Sequence, residues 1–302
     1  MAKMFKLSFI ILHYVALDET KEAVNSIFQK IDLSTSEYAI VIVDNASPNG
    51  SGKLLENEYR PYTNVFVIIN EENKGFSAGH NCGFKFAKSK LCSRYIVLMN
   101  NDILILSNNF YSQIESDYKK YRFAVLGPRV YINDNENGMS NPANIEDYKS
   151  ARLKIKRWDC RIVLFFNALG IDIYYARLRR WLPDKVRALL KERKSGTKDI
   201  EYYSQPHENV LLHGCFWIFS PLYINHFDGL DEVTFMYHEE IILYRKVKSN
   251  NMKMVYDPDI KIFHGDHIST NRVCDFARRS RKIRYKRELN SLKALFRYLQ
   301  IK

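Results

Sequence analysis

Carboxylates and amides in this 302-residue chain gather at the downstream ends of apolar runs. Asp44 closes YAIVIVD, the loop Asn73 to Asn81 (NKGFSAGHN) follows the run Asn64 to Ile69, and Asp102 follows YIVLMNN. In an open parallel sheet ligands bind at the carboxyl ends of the strands, so these positions are where a site would lie. Taken singly, each has an ordinary structural use, since an Asp after a strand most often caps a helix or forms a turn. Together they offer more: a carboxylate that can accept from an imide N–H or a sugar hydroxyl, and glycines at a helix N-terminus that suit a phosphate. Further along, Glu239 and Glu240 open a helical pattern, where two carboxylates complement the helix dipole or serve chemistry.

The elements that must position these groups alternate between strand and helix, the pattern of a βαβ sheet. Leu7 to Tyr14 reads as a buried strand, and Ala23, Val24, Ile27, Phe28 and Ile31 mark one face of the following helix. Tyr38 to Asp44 is a second strand, and the turn-forming loop Asn45 to Ser51 leads a short helix toward Glu58. Asn64 to Ile69, Phe76 to Lys88 and Tyr95 to Met99 then read as strand, helix and strand, with a further helix near Ser107 to Tyr121 and a strand near Ala124 to Tyr131. The pattern resumes at Val210 to Ser220 (VLLHGCFWIFS) as one buried strand. It continues with a helix from His238 or Glu239, strands at Met254 to Tyr256 and Ile260 to His264, and a basic helix over Asp275 to Tyr298.

Composition narrows the classes. At 46% apolar residues the chain can bury a full core, which excludes a disordered protein. Five cysteines without C-x-x-C spacing suggest neither a disulfide framework nor a thiolate zinc site and fit a reducing, cytoplasmic compartment. No run reaches the roughly 18 to 20 apolar residues of a spanning helix. The net charge of +12 is uneven: residues 149–198 carry +11 and residues 272–302 carry +9, so the remainder carries −8. The first basic stretch interleaves with the mostly apolar and aromatic Ile162 to Ala176, followed by Arg177, Arg179, Arg180 and Trp181, an interfacial composition. Such segments suit an anionic membrane surface, or packing on each other or on a second subunit of a homo-oligomer. No nucleic-acid motif accompanies them, so nucleic acid is not expected as a partner.

Six blocks, IVIVDNASPNGS, ENKGFSAGHNCGF, IVLMNNDI, HGCFWIFS, FDGLDE and HEEIILYRK, occur in this order. They resemble the bacterial family 2 glycosyltransferases of surface-polysaccharide synthesis, of rhamnosyl- or galactosyltransferase type. The resemblance covers residues 6 to about 130 and 208 to 270. It implies an α/β fold of the GT-A kind: a Rossmann-like, mixed, mostly parallel sheet flanked by helices, over residues 1–270. A basic, helical insertion at about 149–200 and a basic C-terminal helix over 271–302 complete the expected organisation. The implied activity is inverting, metal-dependent transfer of a hexosyl or deoxyhexosyl unit. The donor would be UDP- or dTDP-linked, and the acceptor a glycan or a polyprenyl-diphosphate-linked glycan at the inner face of the cell membrane.

The same resemblance distributes roles over these residues. Asp44, Asn45, Lys74, Gly75, Gly79, Asn81, Asn101, Asp102 and Gly214 fall beside the donor. Asp102 occupies the family's D-x-D-like position as a ligand for Mg²⁺ or Mn²⁺, and His264 stands where relatives place a histidine near the metal or diphosphate; His267 is a weaker choice. Glu240, the second residue of the Glu-Glu motif, is the implied base, with Glu239 next to it. Trp217 and Asp231 are the acceptor-site residues, Trp217 reading equally well as core. Where many relatives continue the motif with an Asp, this chain has Ile242.

Two other classes share the α/β pattern, but this chain lacks their sequence signs. A nucleotidyltransferase needs a glycine-rich phosphate loop after the first strand, and His13-Tyr14-Val15-Ala16 has no glycine. A non-catalytic binding domain on the same fold predicts loss of Asp102 or Glu240, and both are retained.

Overall fold

Four short segments rich in β-branched residues build the centre of the sheet, buried because helices cover it. β1 (Leu7–His13), β2 (Tyr38–Asp44), β3 (Val65–Ile69) and β4 (Tyr95–Asn100) pair in parallel in the order β3-β2-β1-β4. The connecting helices are α1 (Leu17–Lys30), α2 (Ser51–Tyr59) and α3 (Phe76–Ser89). In this computed structural model residues 4–132, 141–171, 174, 181, 200–265 and 277–300 are described. Past β4 come β5 (Ile103–Ile105), α4 (Phe110–Tyr121), β6 (Val125–Ile132), α5 (Ser150–Ala168) and α6 (Ile200–Tyr203). They are followed by β7 (His207–Glu208), β8 (Phe216–Phe219), α7 (Pro221–Ile224), α8 (Glu239–Ser249), β9 (Met254–His264) and α9 (Ala277–Tyr298). The sheet is mixed and runs β3-β2-β1-β4-β8-β6-β9-β5, with β8 antiparallel to both its neighbours and β7 on β9.

Period-two alternation along the strands sends side chains to two apolar layers. Ile10, Val41, Val43 and Leu98 join one layer, while Phe9, Ile11, Ile40, Ile42 and Val97 join the other. The registers align the carboxyl ends: His13 pairs with Asp44, Asp44 with Ile69, and Leu12 with Asn100. The polar residues that close these strands therefore share one edge of the sheet.

Two strand expectations differ from what forms, and one short strand was not expected. The run Val210 to Ser220 is a strand only over Phe216–Phe219. Its first half bonds instead to the segment after residue 140, through Ala143 N–H to the Leu211 carbonyl at 2.8 Å and His213 N–H to Asn141 Oδ1 at 2.9 Å. The two short strands at 254–256 and 260–264 are one strand, β9. Its register against β6 shifts between Pro128/Arg129, which pair with Asp257 and Lys261, so Pro258 sits in a bulge where its missing N–H costs no ladder bond. β5, only three residues long, follows Asp102 too closely to stand out as a run of its own.

The C-terminal helix α9 does not hang free. Leu292, Leu295 and Phe296 are buried in the same layer as Leu98, Trp217 and Ile241. α5 lies against it, with Lys156 Nζ at 2.9 Å from Glu288 Oε1 and the Arg157 guanidinium 4.4 Å from the Phe296 ring centroid. Most of the expected insertion past residue 171 lies outside the described residues, as do Arg177, Arg179, Arg180, His267 and Cys274.

A buried acid pair sits between α4 and the β9 bulge. Gln113 Nε2 donates to Asp117 Oδ1 at 3.3 Å and to Asp257 Oδ2 at 3.0 Å. Burial, and then the neighbouring Asp257, raise the Asp117 carboxyl from 3.8 to about 9. A carboxyl raised on folding contributes stability that is complete below its unfolded value and is lost as pH climbs toward its folded one. Wild type should therefore lose on the order of 5 °C in Tm between about pH 5 and about pH 8 at this site. Asp117→Asn, which keeps an uncharged hydrogen-bonding group, should hold a flatter Tm over that range, as read by thermal unfolding at each pH.

Candidate active site

The shared sheet edge is built first as a hydrogen-bonded frame. His13, fully buried at the end of β1, bridges Thr20 Oγ1 and Ser51 Oγ at 2.7 Å each, tying the first turns of α1 and α2 to the strand. Burial lowers its pKa to about 4 against the opposing pull of Asp44, so the ring is neutral at neutral pH. Asp44 is 2% exposed and accepts from the Ser47 backbone N–H at 3.2 Å and from the Ser47 hydroxyl. A Cβ on Gly52 would stand 2.0 Å from Asp44 Oδ2, so glycine is what lets the first turn of α2 close on this carboxylate.

Asn45 and Asn81 shape the donor loop from within. Asn45 Nδ2 donates to Asn73 Oδ1 at 3.1 Å and to the Gly75 carbonyl at 3.0 Å, while its Oδ1 accepts from Asn70 and from the Lys74 N–H. All four hydrogen-bonding positions of the amide are thus used inside the protein. Asn81 Oδ1 accepts from the Leu230 N–H at 2.7 Å, and its Nδ2 donates to the Leu230 carbonyl and to Glu232. The two asparagines therefore hold loops rather than offering free contacts. Gly75 has φ +82°, and a Cβ there would lie 2.2 Å from the Phe235 carbonyl oxygen, so only glycine allows α3 to start against the 235–238 loop. Gly79 passes Leu12 as closely: a Cβ would meet its Cδ1 at 2.7 Å. Lys74 is exposed at the mouth of this loop.

Asp102 and His264 come together across β5 and β9. Ile103 pairs with His264, the Gly265 N–H donates to the Asp102 carbonyl at 2.9 Å, and His264 Nε2 lies 3.4 Å from Asp102 Oδ1. Asp102 Oδ1 is buried with no hydrogen-bond partner among the described residues, an arrangement that suits a carboxylate meeting a cation. Among the described residues no group of three or more His, Cys, Asp or Glu side chains could hold a metal ion, and Asp102 and His264 stand as a pair. Asn101 turns the other way and donates to Thr20 Oγ1 at 3.1 Å, which joins it to the His13 frame.

The Glu239-Glu240 pair lies a short step away. The His213 ring is 6.0 Å from that of His264, and a Cβ on the next residue, Gly214, would be 3.8 Å from Glu240 Oε2. Glu239 is buried and accepts from Thr234 Oγ1 at 3.1 Å. Burial, reinforced by the charge of Glu240, raises its carboxyl to about 8, so Glu239 keeps its proton at neutral pH. Glu240 is half-buried and accepts a hydrogen bond from the Tyr148 hydroxyl.

Several residues that hold this centre carry no motif. Tyr148 ends a 3-10 turn, Ile145–Tyr148, whose only local sign is the Asn144 side chain capping the Glu146 N–H at 3.0 Å. His238 precedes Glu239 in a left-handed conformation, with φ 71°, and its Nε2 meets Glu288 Oε1 of α9 at 2.9 Å. Burial works to raise the Glu288 carboxyl, but His238 and Lys156 outweigh it and hold it at about 2. Ser291 of α9 donates to the Met236 carbonyl at 2.6 Å. The C-terminal helix is thus a clamp on the loop that delivers the glutamates.

The structure gives the two acceptor candidates, Trp217 and Asp231, packing and pairing roles. Trp217 has no exposed surface and packs edge-on against Phe76 and Phe219, so the core reading holds and no face is open to a sugar. Asp231 is engaged by Lys246 Nζ at 2.6 Å and by the Tyr298 hydroxyl at 3.2 Å, a tie between its loop, α8 and α9.

A family model described as glycosyl transferase family 2 matches residues 8–178. No curated protein matches the chain. Among solved structures, S. aureus TarS 1-349 aligns over 99% of this chain and 76% of its own at 13% identity and TM-score 0.54. GalNAc-T7 with UDP, GalNAc and Mn²⁺ aligns over 86% of this chain and 44% of its own at 12% identity and TM-score 0.52. S. aureus TarS 1-349 in complex with UDP-GlcNAc matches at 21% identity and TM-score 0.38 over 44% of this chain, which spans 36% of that relative's length. The likenesses to TarS 1-349 at TM-score 0.54 and to GalNAc-T7 at 0.52 establish the mixed α/β fold.

Proposed function

The chain belongs to glycosyl transferase family 2, and from that premise we propose that it is an inverting, metal-dependent enzyme of surface-glycan synthesis. It moves a hexosyl or deoxyhexosyl unit from a UDP- or dTDP-sugar to a glycan or polyprenyl-diphosphate-linked glycan. The observation that carries this reading is the meeting of Glu240, Gly214, His213, His264 and Asp102 along one sheet edge. Support for the donor class comes from the relatives, one solved with UDP and another with UDP, GalNAc and Mn²⁺.

In the proposed reaction Glu240 takes the proton of the acceptor hydroxyl as that oxygen bonds to the anomeric carbon. The bond from that carbon to the diphosphate oxygen breaks in the same step, and the configuration inverts. Protonated Glu239 adds no charge of its own beside Glu240. Asp102 and His264 fit a hard divalent cation, because one or two protein ligands with substrate phosphates and water are the usual set for Mg²⁺ or Mn²⁺. Such an ion would neutralise charge on the departing diphosphate. The donor loop, set by Asn45 and Gly75, brings backbone and Lys74 to the same edge.

Tyr148 gives the base its own test. Its hydroxyl donates to the Glu240 carboxylate and orients it, so Tyr148→Phe should lower kcat about tenfold while donor KM stays within about twofold. An unchanged kcat would show that Tyr148 does not position Glu240.

A further inference from the structure

We propose that α5 and α9 form a docking surface for an anionic lipid bilayer. The outer face of α5 carries Lys154, Trp158, Arg161 and Phe165 at helical spacing, all exposed, with Trp158 60% and Phe165 62% open. Leu169, just past the helix, is 57% exposed, and the Arg161 guanidinium lies 5.5 Å from the Trp158 ring centroid. The opposite face buries Leu153, Cys160 and Val163, so the helix is fixed on the core while its large apolar groups point outward. On α9, Arg279, Lys282, Lys286, Lys293 and Arg297 recur on one exposed face with no acidic residue among them. That row spans about 27 Å at helical rise.

The chemistry of these faces selects the occupant. Exposed aromatics interleaved with Lys and Arg sink their rings into the headgroup boundary while the cations meet lipid phosphate. A row of basic residues beside them adds attraction to an anionic surface that salt screens. No helix among the described residues is long and apolar enough to cross a membrane, so this contact is one of lying on the surface. The fold brings together two basic segments far apart in sequence, through Lys156 with Glu288 and Arg157 over Phe296. This deepens the lipid-linked acceptor reading, but its test reads lipid binding alone and stands apart from transfer.

The test is co-sedimentation of the full chain with phosphatidylcholine vesicles with and without phosphatidylglycerol, at low and physiological salt. Wild type should bind the anionic vesicles selectively and weaken as salt rises. Trp158→Ala with Phe165→Ala should cut partitioning at least about tenfold, and Lys282→Glu with Lys286→Glu and Lys293→Glu should remove the salt-dependent part. Both variants change exposed side chains only, and an unaltered Tm confirms that they fold. Absence of binding at low salt overturns the proposal, as does binding that both variants leave unchanged. So does a wild-type dimer in light scattering that the Trp158/Phe165 variant dissolves, since the face then belongs to a second copy.

Discussion

Glu240→Gln should lower transfer by about a thousandfold, the middle of the range for loss of a positioned general base. The amide keeps the shape of the side chain and can still accept from Tyr148, so folding and donor binding should survive. Glu239→Gln makes the informative contrast. Because burial already keeps Glu239 protonated with a carboxyl raised to about 8, the amide resembles its native state. That variant should retain transfer within about tenfold of wild type near neutral pH. A reversal of the two results would exchange the assignments. Initial rates of nucleoside-diphosphate release, with the Tm of each variant as a folding check, decide between them.

The second large effect is expected at Asp102. Asp102→Ala removes the carboxylate that faces His264 at 3.4 Å. Transfer should fall by about a hundredfold or more, equivalent to roughly 3 kcal/mol of transition-state stabilisation. The residual rate should no longer respond to added Mg²⁺ or Mn²⁺. His264→Ala, which leaves the carboxylate in place, should be milder and should raise the divalent-ion concentration needed for half-maximal rate. If Asp102→Ala kept both its rate and its metal response, the Asp102–His264 pair would be structural only.

The first half of the fold was legible because each of its strands is an apolar run ending in polar residues, and its helices bury one clear face. β2 is buried at every position and is hard to read as anything else. The stretch 210–215 misled because its apolar residues Leu211 and Leu212 are buried against Gly127 and the 141–143 segment, without sheet pairing of their own. Apolar sequence reports burial and does not by itself report pairing. At the site, Asp102, His264 and Glu240 could be named from ordered blocks, yet those blocks say nothing of saturation. Asn45 and Asn81 look like ligand residues in sequence and spend their hydrogen bonds on loop geometry.

Tyr148 and Glu288 were out of reach for a different reason. Both act at a distance in sequence, 92 residues from Glu240 in one case; Tyr148 lies just before the basic insertion, and Glu288 lies in a helix read only as basic. Charge placement identified α5 and α9 as unusual surfaces but hid their inner faces, where Lys156, Glu288 and Ser291 secure the loop before the glutamates. One segment thus serves two ends: its buried side is architecture, and its exposed side is where the basic charge is spent.

Donor binding is the most direct measurement of the central claim. Wild type and Glu240→Gln would be melted against a panel of UDP- and dTDP-sugars with and without Mn²⁺, since a ligand of the native state raises Tm according to its affinity and concentration. The account predicts that at least one nucleotide sugar raises Tm, more with Mn²⁺ than without, and equally in both proteins, while only wild type turns it over with acceptor. No Tm response to any diphosphonucleotide in either protein would contradict it.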